Sequence, residues 1–184
     1  MIILSTLPKT GNPTPNCQSR LATDLDDFEI ANPNCIRLEF PDPKDLQKFY
    51  VYIKVFEGLY RDKWFKFLYI IPDNWPNDEP YVRILNKIWH PNIELLEDGK
   101  PETGRICIST LGRNYQACYT LWDHVITTQC ILVKSYPNDS RNPAAGTELK
   151  SYPDKFRQRI IDYLDEMEDP DFEKNKKKFF FYIP

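Results

Sequence analysis

An α+β fold, with one helix ahead of a four-stranded antiparallel sheet and further helices behind it, follows from three features of the sequence. Apolar residues recur at helical spacing in residues 19–30. Four short segments mixing β-branched and aromatic residues with alternating polar ones occupy residues 35–40, 49–55, 64–71 and 81–85. Helical spacing then returns in residues 120–134 and 153–167. A chain of 184 residues buries a single core without help from metals or disulfides.

In the first helix Leu21, Leu25 and Phe28 form one apolar stripe, and Asp24, Asp26, Asp27 and Glu29 are read as a solvated acidic face. Asn32-Pro33-Asn34 ends it. The strand candidates alternate cleanly, with Val51, Ile53 and Val55 opposed to Tyr50, Tyr52 and Lys54. Short links carrying Pro, Asp, Gly or Asn join them, which favours an antiparallel meander. Residues 94–105 form a charged loop with an Asp98-Gly99 turn signal. In the helix over residues 120–134, Leu121, Val125, Thr128 and Leu132 share a stripe, flanked by Ile131. His124 is read as core-edge or solvated, and Cys118 and Cys130 as small apolar packing residues. Residues 137–143 read as a rigid loop. The last helix begins at Pro153, which a first turn tolerates, and carries Phe156, Ile160, Tyr163 and Met167 on one face.

Outside this body, residues 1–18 form a tail that Pro8, Gly11, Pro13 and Pro15 keep extended or disordered. Its apolar tip, Met1, Ile2 and Leu4, suggests a docking peptide. The expected organisation is a flexible docking tail (1–18), a core (19–167) and a C-terminal extension (168–184). The extension places four acidic residues before four lysines and then Phe179-Phe180-Phe181-Tyr182-Ile183-Pro184. An aromatic end of this kind either packs back on the domain or meets a partner.

Composition narrows the function classes. A net charge of −3 argues against a general nucleic-acid binder. No run approaches the ~20 apolar residues that span a bilayer, and the start of the chain does not resemble a secretory signal. The cysteines Cys17, Cys35, Cys107, Cys118 and Cys130 include no Cys-x-x-Cys pair, and the only histidines are His90 and His124. Neither a metal site nor a cofactor is expected, and a reducing cytosolic or nuclear setting is.

The chemistry centres on His90-Pro91-Asn92, followed by Cys107 between Ile106 and Ile108. Pro91 fixes its own φ and biases His90 away from helix, so the chain leaves a strand and turns. A thiol near such an amide can pass an acyl group, the thiolate attacking and the amide stabilising the oxyanion. The alternative is a buried cysteine beside a structural turn. Only Arg105 makes the flank of Cys107 electropositive, so no strongly activated thiolate is expected.

The combination His-Pro-Asn, then Gly104-Arg105-Ile106-Cys107-Ile108-Ser109-Thr110-Leu111, resembles the signature of the ubiquitin-conjugating enzyme superfamily. Ile71-Pro72, Trp75-Pro76, Pro80, Pro137-Asn138 and Asn142-Pro143 strengthen the resemblance. Within the superfamily, Phe40-Pro41-Asp42-Pro43, Phe56-Glu57-Gly58-Leu59-Tyr60 and residues 87–93 look like the branch that conjugates the NEDD (Rub) modifier. The resemblance implies the ubiquitin-conjugating fold and a modifier carried as a glycyl thioester on Cys107. It implies Asn92 as oxyanion stabiliser or organiser of the active-site loop, and His90 as turn support. Asn142, and Asp139 on the same loop, are implied to orient the incoming lysine.

Partners implied in the same way are a heterodimeric activating enzyme, a RING-type ligase near Asn77, Tyr115 and Ala117, and a cullin substrate. A Dcn-type co-ligase would bind an acetylated Met1 with Ile2 and Leu4. Ubiquitin as the modifier, and an inactive binding module, are the alternatives. The chain departs from the family at Tyr115-Gln116-Ala117, where Trp-x-Pro is usual, and at Glu79-Pro80, where Pro-Pro is usual. Arg20 is the one basic residue on the first helix, where the family often docks its activating enzyme through basic side chains.

Overall fold

The computed structural model describes residues 10–30, 34–100, 102–170 and 172. Met1, Ile2 and Leu4, the helix stop at Asn32-Pro33 and the aromatic end from Phe179 lie outside the described residues.

The first helix, α1 (Pro15–Asp26), begins four residues earlier than its apolar stripe suggests. Thr14 caps it by accepting from the Cys17 N–H at 3.1 Å, and Pro15 occupies the first turn, where its missing N–H is harmless. A 3-10 turn, Asp27–Ile30, continues it. Part of the segment read as tail is therefore attached to the domain. The Gly11 and Asn12 N–H groups donate to Gln47 Oε1 and Asp73 Oδ1, and the Thr14 N–H to the Asp73 carbonyl.

The sheet is an antiparallel meander in the order β1 (Ile36–Glu39), β2 (Lys48–Lys54), β3 (Trp64–Ile70) and β4 (Tyr81–Ile84). Its register sets Leu38 against Val51, and Val51 against Phe67, which in turn faces Ile84. Period-2 alternation sends Phe49, Val51 and Ile53 of β2, and Phe65, Phe67 and Tyr69 of β3, into the core, all fully buried. The opposite face carries Arg37, Glu39, Tyr50, Tyr52, Trp64 and Lys66.

Helix α2 (Leu121–Val133) opens with a capping box between Thr120 and Asp123. Its expected stripe is buried, but so is His124, which has no exposed surface. The core-edge or solvated reading of His124 is corrected: its ring lies between Trp75 and Tyr115, with Nδ1 2.8 Å from Thr110 Oγ1. The packing expected of Cys118 and Cys130 is corrected too, since both are exposed. Cys130 falls off the apolar stripe, and Cys118 sits in the turn before the helix.

Helix α3 (Pro143–Ser151) has no counterpart among the expected elements. Its buried positions are Ala145, Gly146 and Glu148, so it carries no hydrophobic period to detect. Asn142 caps it, and Pro143 starts it. Gly146 leaves room for the preceding loop, because a Cβ there would stand 2.8 Å from Ser140 Oγ and 3.1 Å from the Pro137 carbonyl. Helix α4 (Pro153–Asp165) buries Phe156 and Ile160, as its stripe requires.

The charged loop of residues 94–105 leaves and re-enters through one narrow base. Ile93 bridges to Ile106, and the Glu94 N–H donates to the Arg105 carbonyl at 2.9 Å. Gly104 closes this base at φ +84, with the space for a Cβ taken by the Ile84 carbonyl 2.8 Å away. The loop's length is thereby absorbed outward.

On α1, Asp24 belongs to the core rather than to a solvated face. It is 1% exposed and accepts from Arg20 Nε at 2.8 Å and from Trp75 Nε1 at 3.0 Å. Asp24→Ala orphans the buried indole N–H and should lower stability by at least about 1–3 kcal/mol in urea unfolding. A change below about 0.5 kcal/mol would mean that these bonds contribute nothing net.

Candidate active site

Residues 88–92 follow β4 as an irregular segment with a buried turn at its end, and hydrogen bonds from several elements hold that turn. The Tyr60 hydroxyl donates to the Trp89 carbonyl at 2.6 Å. Trp89 Nε1 donates to Glu148 Oε2 of α3 at 2.7 Å, and Arg159 of α4 holds both oxygens of that carboxylate. The Pro91 carbonyl accepts from the Asn142 N–H at 2.8 Å.

His90 is fully buried. Its Nδ1 accepts from the Asn92 N–H at 3.0 Å, which leaves the proton on Nε2. That nitrogen lies 2.9 Å from the Ile131 carbonyl at the end of α2 and 3.0 Å from Ser135 Oγ. Burial pushes its pKa down to about 4, so the ring is neutral at pH 7. Within the turn it acts as a spacer with one donor and one acceptor.

Asn92 is 2% exposed. Its amide donates to the Tyr136 carbonyl at 2.9 Å and to the Asp139 carbonyl at 2.8 Å, and its Oδ1 accepts from the Tyr136 N–H at 2.7 Å. Both N–H donors of the amide are therefore engaged by the loop of residues 136–139. Its main-chain carbonyl accepts from the Cys107 N–H at 2.8 Å, which sets the cysteine beside that loop.

Cys107 Sγ is half-buried and lies 3.8 Å from Asp139 Oδ2. Burial first, and the Asp139 carboxylate second, raise the thiol pKa above its ordinary value, against the opposing charge of Arg141. The thiol rests protonated, in line with its weakly basic sequence flank. Of the residues considered for lysine orientation, Asp139 is brought to the thiol. The Asn142 side-chain oxygen caps α3, accepting from the Ala145 N–H at 3.1 Å, while its buried Nδ2 has no hydrogen-bond partner. An Asn ahead of a helix-starting Pro is an N-cap signal that the sequence did contain.

A loop held by a buried amide, presenting a carboxylate to a protonated thiol, fits an acyl carrier that must resist hydrolysis. The family model described as ubiquitin-conjugating enzyme matches residues 20–164. The chain belongs to the ubiquitin-conjugating enzyme family.

It is 32% identical over 143 residues to the NEDD8-conjugating enzyme ubc12 of Schizosaccharomyces pombe, covering 78% of this chain and 76% of that one. It is 28% identical over 172 residues to the NEDD8-conjugating enzyme UBE2F of Gallus gallus, covering 85% and 89%. The crystal structure of a putative ubiquitin conjugating enzyme from Plasmodium yoelii superposes with a TM-score of 0.71 at 24% identity, over 83% of this chain and 96% of that one. The protein is thus a transferase of ubiquitin-like modifiers. Among the described residues no group of three or more His, Cys, Asp or Glu side chains could hold a metal. No helix among them is long and apolar enough to cross a membrane.

In this conjugating enzyme the loops named for ligase contact are cross-braced. The Tyr115 hydroxyl donates to the Pro76 carbonyl, and the Gly112 N–H donates to Glu79 Oε2 at 2.6 Å. The residues that depart from the family pattern, Tyr115 and Glu79, thus each hold one loop to the other. Asn77 and Ala117 remain exposed on them. Arg20 reaches the Ala117 and Tyr119 carbonyls at 3.2 and 2.9 Å, so the basic residue noted on α1 is largely used inside the molecule.

Replacing Asp139 by Asn removes a group that raises the thiol pKa, so alkylation of Cys107 by iodoacetamide at pH 7.5 should accelerate. Arg141→Ala should slow it. Equal rates in both variants would show that the charges do not act on the thiol.

Burial also pushes His124 down to about 4. Above about pH 6.5 both histidines are neutral folded and unfolded, and neither affects stability. Between about 6.5 and 4 the unfolded chain takes up protons that the folded one refuses, so stability falls with falling pH. Each histidine contributes up to about 1.4 kcal/mol per pH unit there. Urea unfolding from pH 7 to 5 should show this loss, and imidazole signals that titrate near pH 6.5 in the folded protein would contradict it.

Proposed function

We propose that the enzyme accepts NEDD8 from a heterodimeric activating enzyme as a thioester on Cys107 and passes it to a substrate lysine. What carries this reading is the Cys107–Asp139 pair on a loop fastened by Asn92, in a chain similar over most of its length to the NEDD8-conjugating enzymes ubc12 and UBE2F. The Cys107 thiol gives up its proton and attacks the activated carbonyl of the modifier, and the sulfur of the activating enzyme leaves as a thiolate that takes up a proton in turn. A lysine amine then attacks the new thioester, the C–S bond breaks, and Cys107 departs as thiolate. The proton lost by the amine passes to the Asp139 carboxylate, which is the base nearest the sulfur.

Asn92 serves this reaction as organiser of the loop, because both of its amide donors are already engaged. A RING-type ligase contacts the braced surface at Asn77, Tyr115 and Ala117. Cullin as substrate, and a Dcn-type co-ligase reading Met1, Ile2 and Leu4, follow from the resemblance of the tail and belong to the same proposal. The free thiols suit a reducing cytosolic or nuclear compartment.

Charging with purified activating enzymes, read on non-reducing gels, tests the modifier and the nucleophile together. NEDD8 should charge the enzyme to a thiol-sensitive adduct, and Cys107→Ser should give a thiol-resistant ester. Charging by ubiquitin alone would overturn the NEDD8 assignment. A thiol-sensitive adduct persisting in Cys107→Ser would move the nucleophile elsewhere.

For Asn92 the reading predicts a loss of stability as well as of transfer. Asn92→Ala deletes three hydrogen bonds worth about 0.5–1.5 kcal/mol each, so unfolding should become easier by roughly 1.5–4.5 kcal/mol. Slower transfer in a variant of unchanged stability would return Asn92 to direct oxyanion stabilisation.

A further inference from the structure

The face of the sheet turned away from the core is basic. Arg37, Lys48, Lys54, Lys66 and Arg83 project from its strands, with Glu39 as the single acid. Glu39 is satisfied within the sheet, accepting from Tyr52 at 2.5 Å and from Lys66 at 3.1 Å. The conjugation site uses none of these residues.

Phe172, from the C-terminal extension, is seated on this face. Its ring centroid lies 4.8 Å from that of Trp64 and 5.3 Å from that of Tyr52, both edge-on. The Arg37 guanidinium carbon stands 4.1 Å from the ring centroid, and the same guanidinium reaches the Trp64 ring at 5.6 Å. Edge-on aromatic pairs and a cation over a ring face are the favourable arrangements for such contacts. In the sequence Phe172 follows Glu168, Asp169, Pro170 and Asp171 and precedes Glu173. Phe172, from an acidic stretch of sequence, thus meets a basic face at a site built of aromatic rings and an arginine.

We propose that the chain's own Phe172 is a built-in occupant of the outer face of the sheet, seated in the Arg37–Tyr52–Trp64 cradle, and that an acidic segment with an aromatic anchor from outside competes for the same place. The Arg37–Tyr52–Trp64 cradle holds the Phe172 ring, and the opposite net charges of the stretch and the face favour the pairing. A tether of a few residues beyond α4 holds the segment at an effective concentration of roughly millimolar, so an outside segment must displace it. Phe172 thereby occupies the place that an outside segment would take.

The test uses the full chain labelled with 5-fluorotryptophan, whose four fluorine signals, from Trp64, Trp75, Trp89 and Trp122, resolve by NMR. The Trp64 signal is assigned through Trp64→Phe. Phe172→Ala should move the Trp64 signal and leave the other three in place, which also shows that the fold is intact. Phe172→Leu serves if the alanine variant disturbs all four. A synthetic peptide of residues 166–175, added at millimolar concentration, should return the Trp64 signal of the alanine variant towards its wild-type position and leave wild type unmoved. The wild-type Trp64 signal should not change on dilution. A Trp64 signal indifferent to loss of Phe172 overturns the proposal. So does a signal lost on dilution, which would assign the contact to a second copy of the chain, and so does a peptide without effect on the variant.

Discussion

The carboxamide of Asn92 is the constraint on which the site depends. Asn92 joins three parts of the chain that come from different regions of the sequence: its carboxamide ties the turn after β4 to the loop before α3, and its main-chain carbonyl holds the strand-like segment that ends in Cys107. Such a group, buried and with every donor and acceptor used, is stabilising as a unit and destabilising when partly undone. His90 extends the same network to the end of α2, and the Trp89–Glu148–Arg159 contacts extend it to α3 and α4. The site is thus anchored to all the helices behind the sheet, although the thiol itself stays half-open to solvent.

That arrangement suits the chemistry. A protonated thiol beside a carboxylate is a poor spontaneous nucleophile. Burial, and the Asp139 charge after it, hold the thiol pKa up, and in the proposed transfer the same carboxylate takes the proton from the arriving amine. One carboxylate can serve both ends of the transfer because the loop holds it at a set distance. The rigidity that Asn92 imposes therefore bears on reactivity as well as on stability. Outside the site, the cross-braced loops around Tyr115 and Glu79 show a second way of holding a surface in shape where the usual prolines are absent.

Much of this was legible from the residues. The four strands fall where alternation places them, because both the core face and the polar face follow the pleat. The stripes of α1, α2 and α4 were visible for the same reason. Helix α3 was not: its buried positions are Ala145, Gly146 and Glu148, and a helix that buries small residues and a paired carboxylate leaves no apolar period. Asp24 and His124 misled in the same way. Their polarity suggested water, but each has been taken into the core by specific partners, Trp75 and Arg20 for one and Thr110 for the other.

The sequence by itself determined the fold class and the strand order and singled out Cys107 as the proposed carrier, since these depend on local pattern and on a signature of adjacent residues. Tertiary structure alone decided what the polar side chains do. Asn142 and Asp139 stand three positions apart on one loop, and no local rule says which meets Cys107. The answer lies in where Asn92, some forty-seven residues before Asp139, places its two donors. Hydrogen bonds between distant segments depend on distances that the chain acquires only when it is packed, and so does the difference between a helix cap and a group beside the nucleophile.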